Sequence, residues 1–341
     1  MNWEIIHEYP NAETAAKWFA FLPDSTFPCQ YTSPGFFEEP FFEDKNPFAV
    51  LVTDGEKIVG ALTGIFADKK IVCGLEVRPQ ISIASDGDQK SIAQAFVEAL
   101  LTLAKNGAEL IQINCSDAIA GFVEAGFTYK KAVGTSEVIM LDLRAGKDAV
   151  FKKFSQTRRA DLRKAMRENQ VQISELENAD ELAELYEIHV AWSSGKGNQP
   201  NSWETMKRLW AMKNYRRIFI AKHDGKVIAG SYFRFLDKMF IEYAANNSLP
   251  EFQRLRPNDL LVWHSIEWAC DREIPLYSMG GSHLFLRRFG GYAVSGSRYQ
   301  LDRTLLKKHS KKEAIAEFAL KTYQGLPTET REKIKKIFGK D

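Results

Sequence analysis

Arg254 and Arg256 stand immediately before Pro257-Asn258. Proline suits the first helical turn and asparagine caps free backbone N–H groups, so this step reads as a helix start. A helix start behind a basic loop offers an anionic group both the positive end of the helix dipole and fixed cations. Upstream, Glu242 interrupts the apolar run Met239–Ala245. A carboxylate among apolar residues has a raised pKa and can act as general base toward an ammonium. The alternative is an ion pair with a nearby arginine. Strand alternation places Glu242 with Phe240 on one face and Tyr243 with Ile241 on the other. Downstream, Gly280-Gly281-Ser282-His283 closes the short apolar run Leu276–Met279. Backbone N–H groups at Gly281 and Ser282 suit an oxyanion, and His283 can shuttle a proton. The alternative for His283 is a surface position in a tight turn.

A second cationic cluster comprises Arg158, Arg159, Arg163, Lys164 and Arg167. Arg159 and Arg163 share a helix face at i, i+4. These cations repel one another unless an anion is near, such as the phosphate of a nucleotide-linked or lipid-linked precursor or of tRNA. The alternative is a solvated, salt-bridged face. Ser193–Gly197 lacks the spacing of a phosphate loop and reads as a mobile loop over substrate. His189 and His264 lie among aromatic residues on amphipathic helices and read as core or rim histidines. No His/Cys spacing suits a metal, so no metal is expected. The four cysteines, Cys29, Cys73, Cys115 and Cys270, read as reduced buried hydrophobes, which points to a cytoplasmic protein.

The chain of 341 residues is 45% hydrophobic and 26% charged, enough for two domains of ordinary globular composition. Its net charge of +2 is unevenly spread. Lys152–Arg167 holds seven Lys/Arg and one acid, and the tail from Leu305 holds ten Lys/Arg and five acids. The tail reads as two short helices whose basic amphipathic character suits peripheral contact with the inner face of a membrane. The alternative is a helix packed on the domain. The N-terminus does not read as a signal peptide, and no apolar run is long enough to span a bilayer.

The elements that position these residues come in two copies. Ala49–Thr53 and Lys57–Phe66 flank Asp54-Gly55; Arg217–Lys222 and Lys226–Phe235 flank Asp224-Gly225, 170 positions later. A later turn at Asp68 recurs at Asp237, and Gly126-Phe127 recurs as Gly291-Tyr292. Each copy reads as an antiparallel meander, a helix, and a strand pairing parallel to the meander across it. This predicts a domain over 1–145, a second over 146–304, opened by a basic helix Lys147–Arg167, and a basic helical tail over 305–341. The first copy lacks the basic loop, so activity is expected in the second.

The run Ser155–Ala165, the step Arg256–Trp263, and Tyr277–Ser282 followed by Phe289-Gly290-Gly291 resemble the Fem-type acyltransferases, over residues 20–303. That resemblance implies an α+β fold of two tandem GNAT-like (N-acetyltransferase-like) domains with mixed central sheets. It implies an N-acyltransferase acting on an amino group of a bacterial cell-envelope or polysaccharide precursor, with acyl-CoA or aminoacyl-tRNA as co-substrate. The expected donor- and substrate-binding residues are Arg158, Arg159, Arg163, Lys164, Tyr243, Arg254, Arg256, Asn258, Gly281 and Ser282, with Glu242 and His283 catalytic. Where GNAT enzymes cradle pyrophosphate in a glycine-rich loop, Gln253–Asn258 has no glycine, and Pro257 removes an N–H donor. Phosphate contacts must then come from side chains. The missing glycines equally suit a non-catalytic scaffold that binds an anionic glycolipid or nucleic acid.

Overall fold

The structure, a computed structural model, describes residues 1–75, 78–131, 137–327 and 329–331. Its strands are β1 (Asn2–Ile6), β2 (Pro47–Asp54), β3 (Lys57–Ala67), β4 (Lys70–Cys73), β5 (Ile81–Ile83), β6 (Leu110–Cys115), β7 (Thr128–Lys131), β8 (Glu137–Asp142), β9 (Gln172–Glu175), β10 (Arg216–His223), β11 (Lys226–Leu236), β12 (Phe240–Ser248), β13 (Leu276–Ser278), β14 (Tyr292–Ser295) and β15 (Ser297–Asp302). Its α-helices are α1 (Ala12–Phe21), α2 (Gln89–Leu103), α3 (Lys147–Lys153), α4 (Gln156–Glu168), α5 (Ala179–Gly195), α6 (Trp203–Ala211), α7 (Pro257–Asp271), α8 (Leu284–Arg287) and α9 (Lys308–Gly325).

Two mixed sheets repeat one plan. In the first, β1-β2-β3-β4 form an antiparallel meander and β6 pairs parallel to β4. In the second, β9-β10-β11-β12 repeat the meander and β13 pairs parallel to β12. Both Asp-Gly turns form as expected. Gly55 and Gly225 have positive φ (59° and 79°), and each hairpin carries a bulge beside its turn, at Val52/Thr53 and at Ala221/Lys222.

The expected boundary at residues 145/146 does not separate the sheets. β8 leaves the first unit and inserts between β13 and β14. β15 leaves the second unit and inserts between β6 and β7. Each unit thus completes the other's sheet, and Ile139 and Leu141 are buried in the second core while Tyr299 is buried in the first. Pairing partners of a strand are set by long-range contacts, which local periodicity does not encode.

The second sheet has two different faces. Phe219, Phe233 and Ile241 pack with α7 in that unit's own core. Ile218, Ile220 and Tyr232 join Trp18, Leu51 and Ala61 from the first unit, so this face is sealed by the first half of the chain as well as by α5 and α6. Other local expectations shift. The basic helix is broken after Lys153, where the Ser155 hydroxyl accepts from the Arg158 N–H and starts α4. The segment expected to be helical at 118–125 is a series of turns. The expected strand Ile71–Val77 is paired only over Lys70–Cys73, and its last two residues lie outside the described ones. Of the tail, α9 is a single helix, and the expected second helix falls largely outside the described residues.

Candidate active site

β12 and β13 pair over three positions, ending at Glu242 opposite Ser278. Beyond that, β13 turns away through Gly280 (φ 67°), where any Cβ would collide with the Tyr243 carbonyl. On β12 the register slips between Tyr243 and Ala245, so Ala244 is a bulge residue without a partner on β11. The Gly281 carbonyl accepts from the Ile139 N–H at 3.0 Å, which holds the glycine turn against the exchanged strand β8.

On the α7 side lies a cleft of about 420 Å³ lined by Arg158, Gln253, Arg256, Pro257, Asn258, Asp259, Phe285 and Arg288, with Leu284 at its edge. Arg256 has a left-handed backbone (φ 61°) and pairs with Asp161 at 3.0 Å and Asp259 at 3.6 Å. Asn258 accepts from the Asn246 amide at 2.9 Å and donates to Ser248 at 3.2 Å, tying the helix start to the end of β12. Arg254 is exposed outside this lining. Neither Arg254 nor Arg288 has an ion-pair partner among the described residues. At the helix start Pro257 has no N–H, and the Asp259 and Leu260 N–H groups are already bonded to the Arg256 carbonyl. The cleft therefore offers an anion guanidinium groups more than backbone amides.

The basic helix is largely structural. Arg158 is buried, pairs with the buried Asp259, donates to the Phe285 carbonyl, and stacks within 4.6 Å of the Phe285 and Phe289 ring centroids. Burial pushes the Asp259 carboxyl up and the Arg158 guanidinium down, with their mutual attraction opposing both shifts. Arg159 donates to the Lys152 and Phe154 carbonyls, where α3 ends. Arg163 covers the Phe151 ring at 5.4 Å. Lys164 is exposed near Glu168. Of this helix the structure brings Arg158 to the cleft; Arg159, Arg163 and Lys164 do not line it.

Glu242 departs from the expectation of a raised pKa. Its carboxylate accepts from Arg234 at 2.7 and 3.3 Å and from Arg78 at 2.5 Å. Burial alone would raise its pKa, but the two guanidinium groups outweigh that and hold it at about 2. A carboxylate so held is a poor general base; it is the ion-paired group that formed the alternative reading. His283 is exposed and its ring stacks on Phe285, while its carbonyl accepts from Leu286 as α8 begins. It too lies outside the cleft lining. Tyr243 packs beside Phe233 and its hydroxyl is raised by burial. Ser282 sits half-buried in the turn before α8.

The other face of β12 carries charges that the sequence reading missed. Arg216 pairs with buried Glu39; the Tyr31 hydroxyl donates to Glu39 and accepts from Arg234 at 2.9 Å; Arg234 then reaches Glu242. This chain joins the loop at 27–46 to β10, β11 and β12. Arg234 inside the largely apolar run of β11 was its sequence signal, because buried arginines require partners, whereas Arg216 at the start of β10 gave none. His189 is satisfied: its Nε2 accepts from the Asn201 N–H at 3.0 Å, and its Nδ1 faces the side-chain amide oxygen (Oδ1) of Asn247 at 3.1 Å.

Residues 152–292 match the acetyltransferase (GNAT) domain family. No curated protein matches the sequence. FemX superposes with a TM-score of 0.70 at 12% identity, covering 88% of this chain and 98% of FemX. The C-terminal domain of an Agrobacterium fabrum protein named as a lysylphosphatidylglycerol synthetase gives 0.58 at 14% identity, covering 90% and 97%. A tandem GNAT protein from the clavulanic acid biosynthesis pathway gives 0.54 at 13% identity, covering 89% and 99%. Among the described residues no helix is long and apolar enough to cross a membrane, and no His/Cys/Asp/Glu group is arranged to hold a metal. The chain thus carries an α+β tandem GNAT acyltransferase fold that resembles FemX, with the GNAT domain itself at residues 152–292.

Proposed function

We propose that the protein is an N-acyltransferase that moves an aminoacyl group from the 3′ end of a charged tRNA to an amino group of a cell-envelope precursor. The observation that carries this reading is the parting of β12 from β13 beyond Glu242 and Ser278, beside an arginine-lined cleft at the start of α7. A donor phosphate meets Arg256 and Arg288 there, with Arg254 nearby, and few free amides. That favours a donor recognised by side chains over coenzyme A, whose pyrophosphate GNAT loops cradle by backbone N–H groups. The names of two structural neighbours, FemX and a lysylphosphatidylglycerol synthetase, are in keeping with an envelope acceptor.

In the step itself, the neutral amine attacks the ester carbonyl carbon and an amide bond forms. The ester C–O bond breaks, and the leaving ribose oxygen takes up the proton released by the ammonium nitrogen. Glu242 does not take this proton in our reading. It fixes β12 next to the bulge at Ala244, where this reading places the acyl carbonyl. A lipid-linked acceptor would bring the protein to the inner membrane surface.

A second reading, a scaffold that binds an anionic glycolipid or nucleic acid without catalysis, draws on the absence of an unpaired carboxylate among the residues lining the cleft. Transfer assays with labelled aminoacyl-tRNA pools, acetyl-CoA, and nucleotide- and lipid-linked precursors separate the readings. Label in an amide product from tRNA supports the first. Label from acetyl-CoA alone overturns the donor assignment. Tight anion binding with no product under any donor supports the scaffold.

A further inference from the structure

A surface helix normally packs on its domain with the apolar face inward. α9 is turned the other way. Ser310, Glu313 and Glu317 recur at i, i+3 and i+7, and this half-buried polar face meets the first sheet. Glu313 pairs with Arg298 on β15 and with Lys130 on β7 at 3.2 Å, and Glu317 pairs with the same lysine. The opposite face carries Lys308, Lys311, Lys312, Ile315 and Phe318, at i, i+3, i+4, i+7 and i+10. Ile315 is 69% exposed and Phe318 73%. Leu305 and Leu306, in the turn leading into α9, are 96% and 69% exposed. We propose that this outward face of α9, with the turn before it, docks the protein on an anionic lipid bilayer. The inference rests on the transfer reading above for its purpose, a lipid-linked acceptor, and names the surface that reaches it.

Three features support it. The first is the clustering of exposed apolar side chains. Exposed hydrophobic residues scattered singly are ordinary, but four large ones in one short segment mark a contact surface. The second is charge. Between Arg303 and Pro327 the only acids are Glu313 and Glu317, and both are engaged toward the sheet. Lys308 pairs with Glu109, whereas Lys311 and Lys312 have no ion-pair partner among the described residues. α9 thus presents apolar side chains and ammonium groups outward, and no carboxylate.

That combination matches a bilayer rimmed with phosphate. The headgroups take the ammonium groups, while the flexible lysine stems let the neighbouring apolar side chains reach the acyl boundary. A second copy seated here would bring the ammonium groups of both chains together with no acid on that face to answer them. RNA would use the lysines and leave Leu305, Leu306 and Ile315 without a role. The third feature is attachment. Ion pairs to β15 and β7 hold α9 along the domain surface, and among the described residues no helix is long and apolar enough to cross a membrane. The helix is therefore placed to lie on a bilayer and not to span it.

The test uses the full chain without donor and reads co-sedimentation with two sets of vesicles. One is phosphatidylcholine alone; the other is an equimolar mixture of phosphatidylcholine and phosphatidylglycerol. We expect binding to the anionic vesicles, weakened by salt, and little to the neutral ones. Ile315→Ser with Phe318→Ser should weaken binding about tenfold. Lys311→Gln with Lys312→Gln should weaken it about ten- to thirtyfold at low salt. Melting temperatures should not change, because all four side chains are exposed. Equal binding to both vesicle types overturns the proposal. So does binding that falls in the lysine variant and not in the serine variant, which is a contact by charge alone, as RNA would make. Absence of vesicle binding overturns it too, and a concentration-dependent dimer that the serine variant dissolves would then assign the face to a second copy. Vesicle binding without transfer under any donor would reject the transfer reading and leave the docking surface standing. Transfer without vesicle binding would reject the docking surface alone.

Discussion

Arg78 donates from its Nε to the Glu242 carboxylate at 2.5 Å, across 164 positions of sequence. The donor lies in a loop of the first unit, and the acceptor stands on β12 at the last pair before that strand parts from β13. Arg234 grips the same carboxylate from the neighbouring strand. The first unit therefore helps to hold the strand on which this carboxylate stands.

This pair dictates an acid dependence. The Glu242 pKa is depressed, from about 4.5 to about 2. Its stabilisation is present above the unfolded-state value and is lost as pH falls from about 4.5 toward 2. Glu242→Gln should lower stability at pH 7 by about 3–5 kcal/mol, because it leaves two arginines without their buried anion. It should also flatten the dependence of melting temperature on pH across that acid window. A variant as stable as the native protein, with an activity profile missing a limb near pH 6–7, would restore the general-base role.

Arg158 and Asp259 form a buried pair between aromatic rings. Arg158→Ala should cost about 3–5 kcal/mol in denaturant unfolding by stranding Asp259. Replacing both, as Arg158→Met with Asp259→Leu, should recover most of that loss. An Arg158→Ala protein with unchanged unfolding and a raised donor KM would instead make Arg158 a donor contact.

Arg288 is exposed at the arginine-lined cleft and has no ion-pair partner among the described residues. Arg288→Ala should raise the donor KM by about tenfold, consistent with loss of a charge-assisted hydrogen bond, and leave the melting temperature unchanged. The donor KM of the native enzyme should climb with salt, and less steeply in the variant. Equal KM values at low salt would remove Arg288 from the site.

The strand exchange predicts that neither half folds alone. A fragment of residues 146–304 lacks β8 and parts β13 from β14; a fragment of residues 1–145 lacks β15 and parts β6 from β7. Each should be insoluble or molten by near-ultraviolet circular dichroism, and co-expression should restore a folded pair. A sharply folded isolated half would show that the exchange is dispensable.

Gly280→Ala tests the parting of the strands. The left-handed φ of 67° and the close approach of the Tyr243 carbonyl leave no room for a methyl group. Loss of about 1–3 kcal/mol is expected from the backbone strain alone, with activity falling more than stability as β12 shifts.

Local chemistry was readable in the sequence because it depends on near neighbours. The Asp-Gly turns at Asp54 and Asp224, the apolar alternation around them, and the helix start at Pro257-Asn258 each rest on residues within a few positions, and their recurrence disclosed the tandem α+β fold. The cluster at Arg158–Lys164 was visible as charge, but charge alone does not say whether an arginine meets a ligand or an internal carboxylate. Arg158 meets Asp259, 101 positions on, and Arg159 caps α3.

Only the tertiary structure settled those partners. Glu242 carries the same carboxyl whether it is a base or a tether; Arg78 and Arg234 make it a tether by holding its charged form below the usual range. The same holds for the exchange of β8 and β15 and for the pairing of Glu39 with Arg216. Hydrophobic period and turn chemistry act over a few residues and are written in the local sequence. Burial and charge pairing are properties of the folded surroundings, and they exist only once distant segments have met.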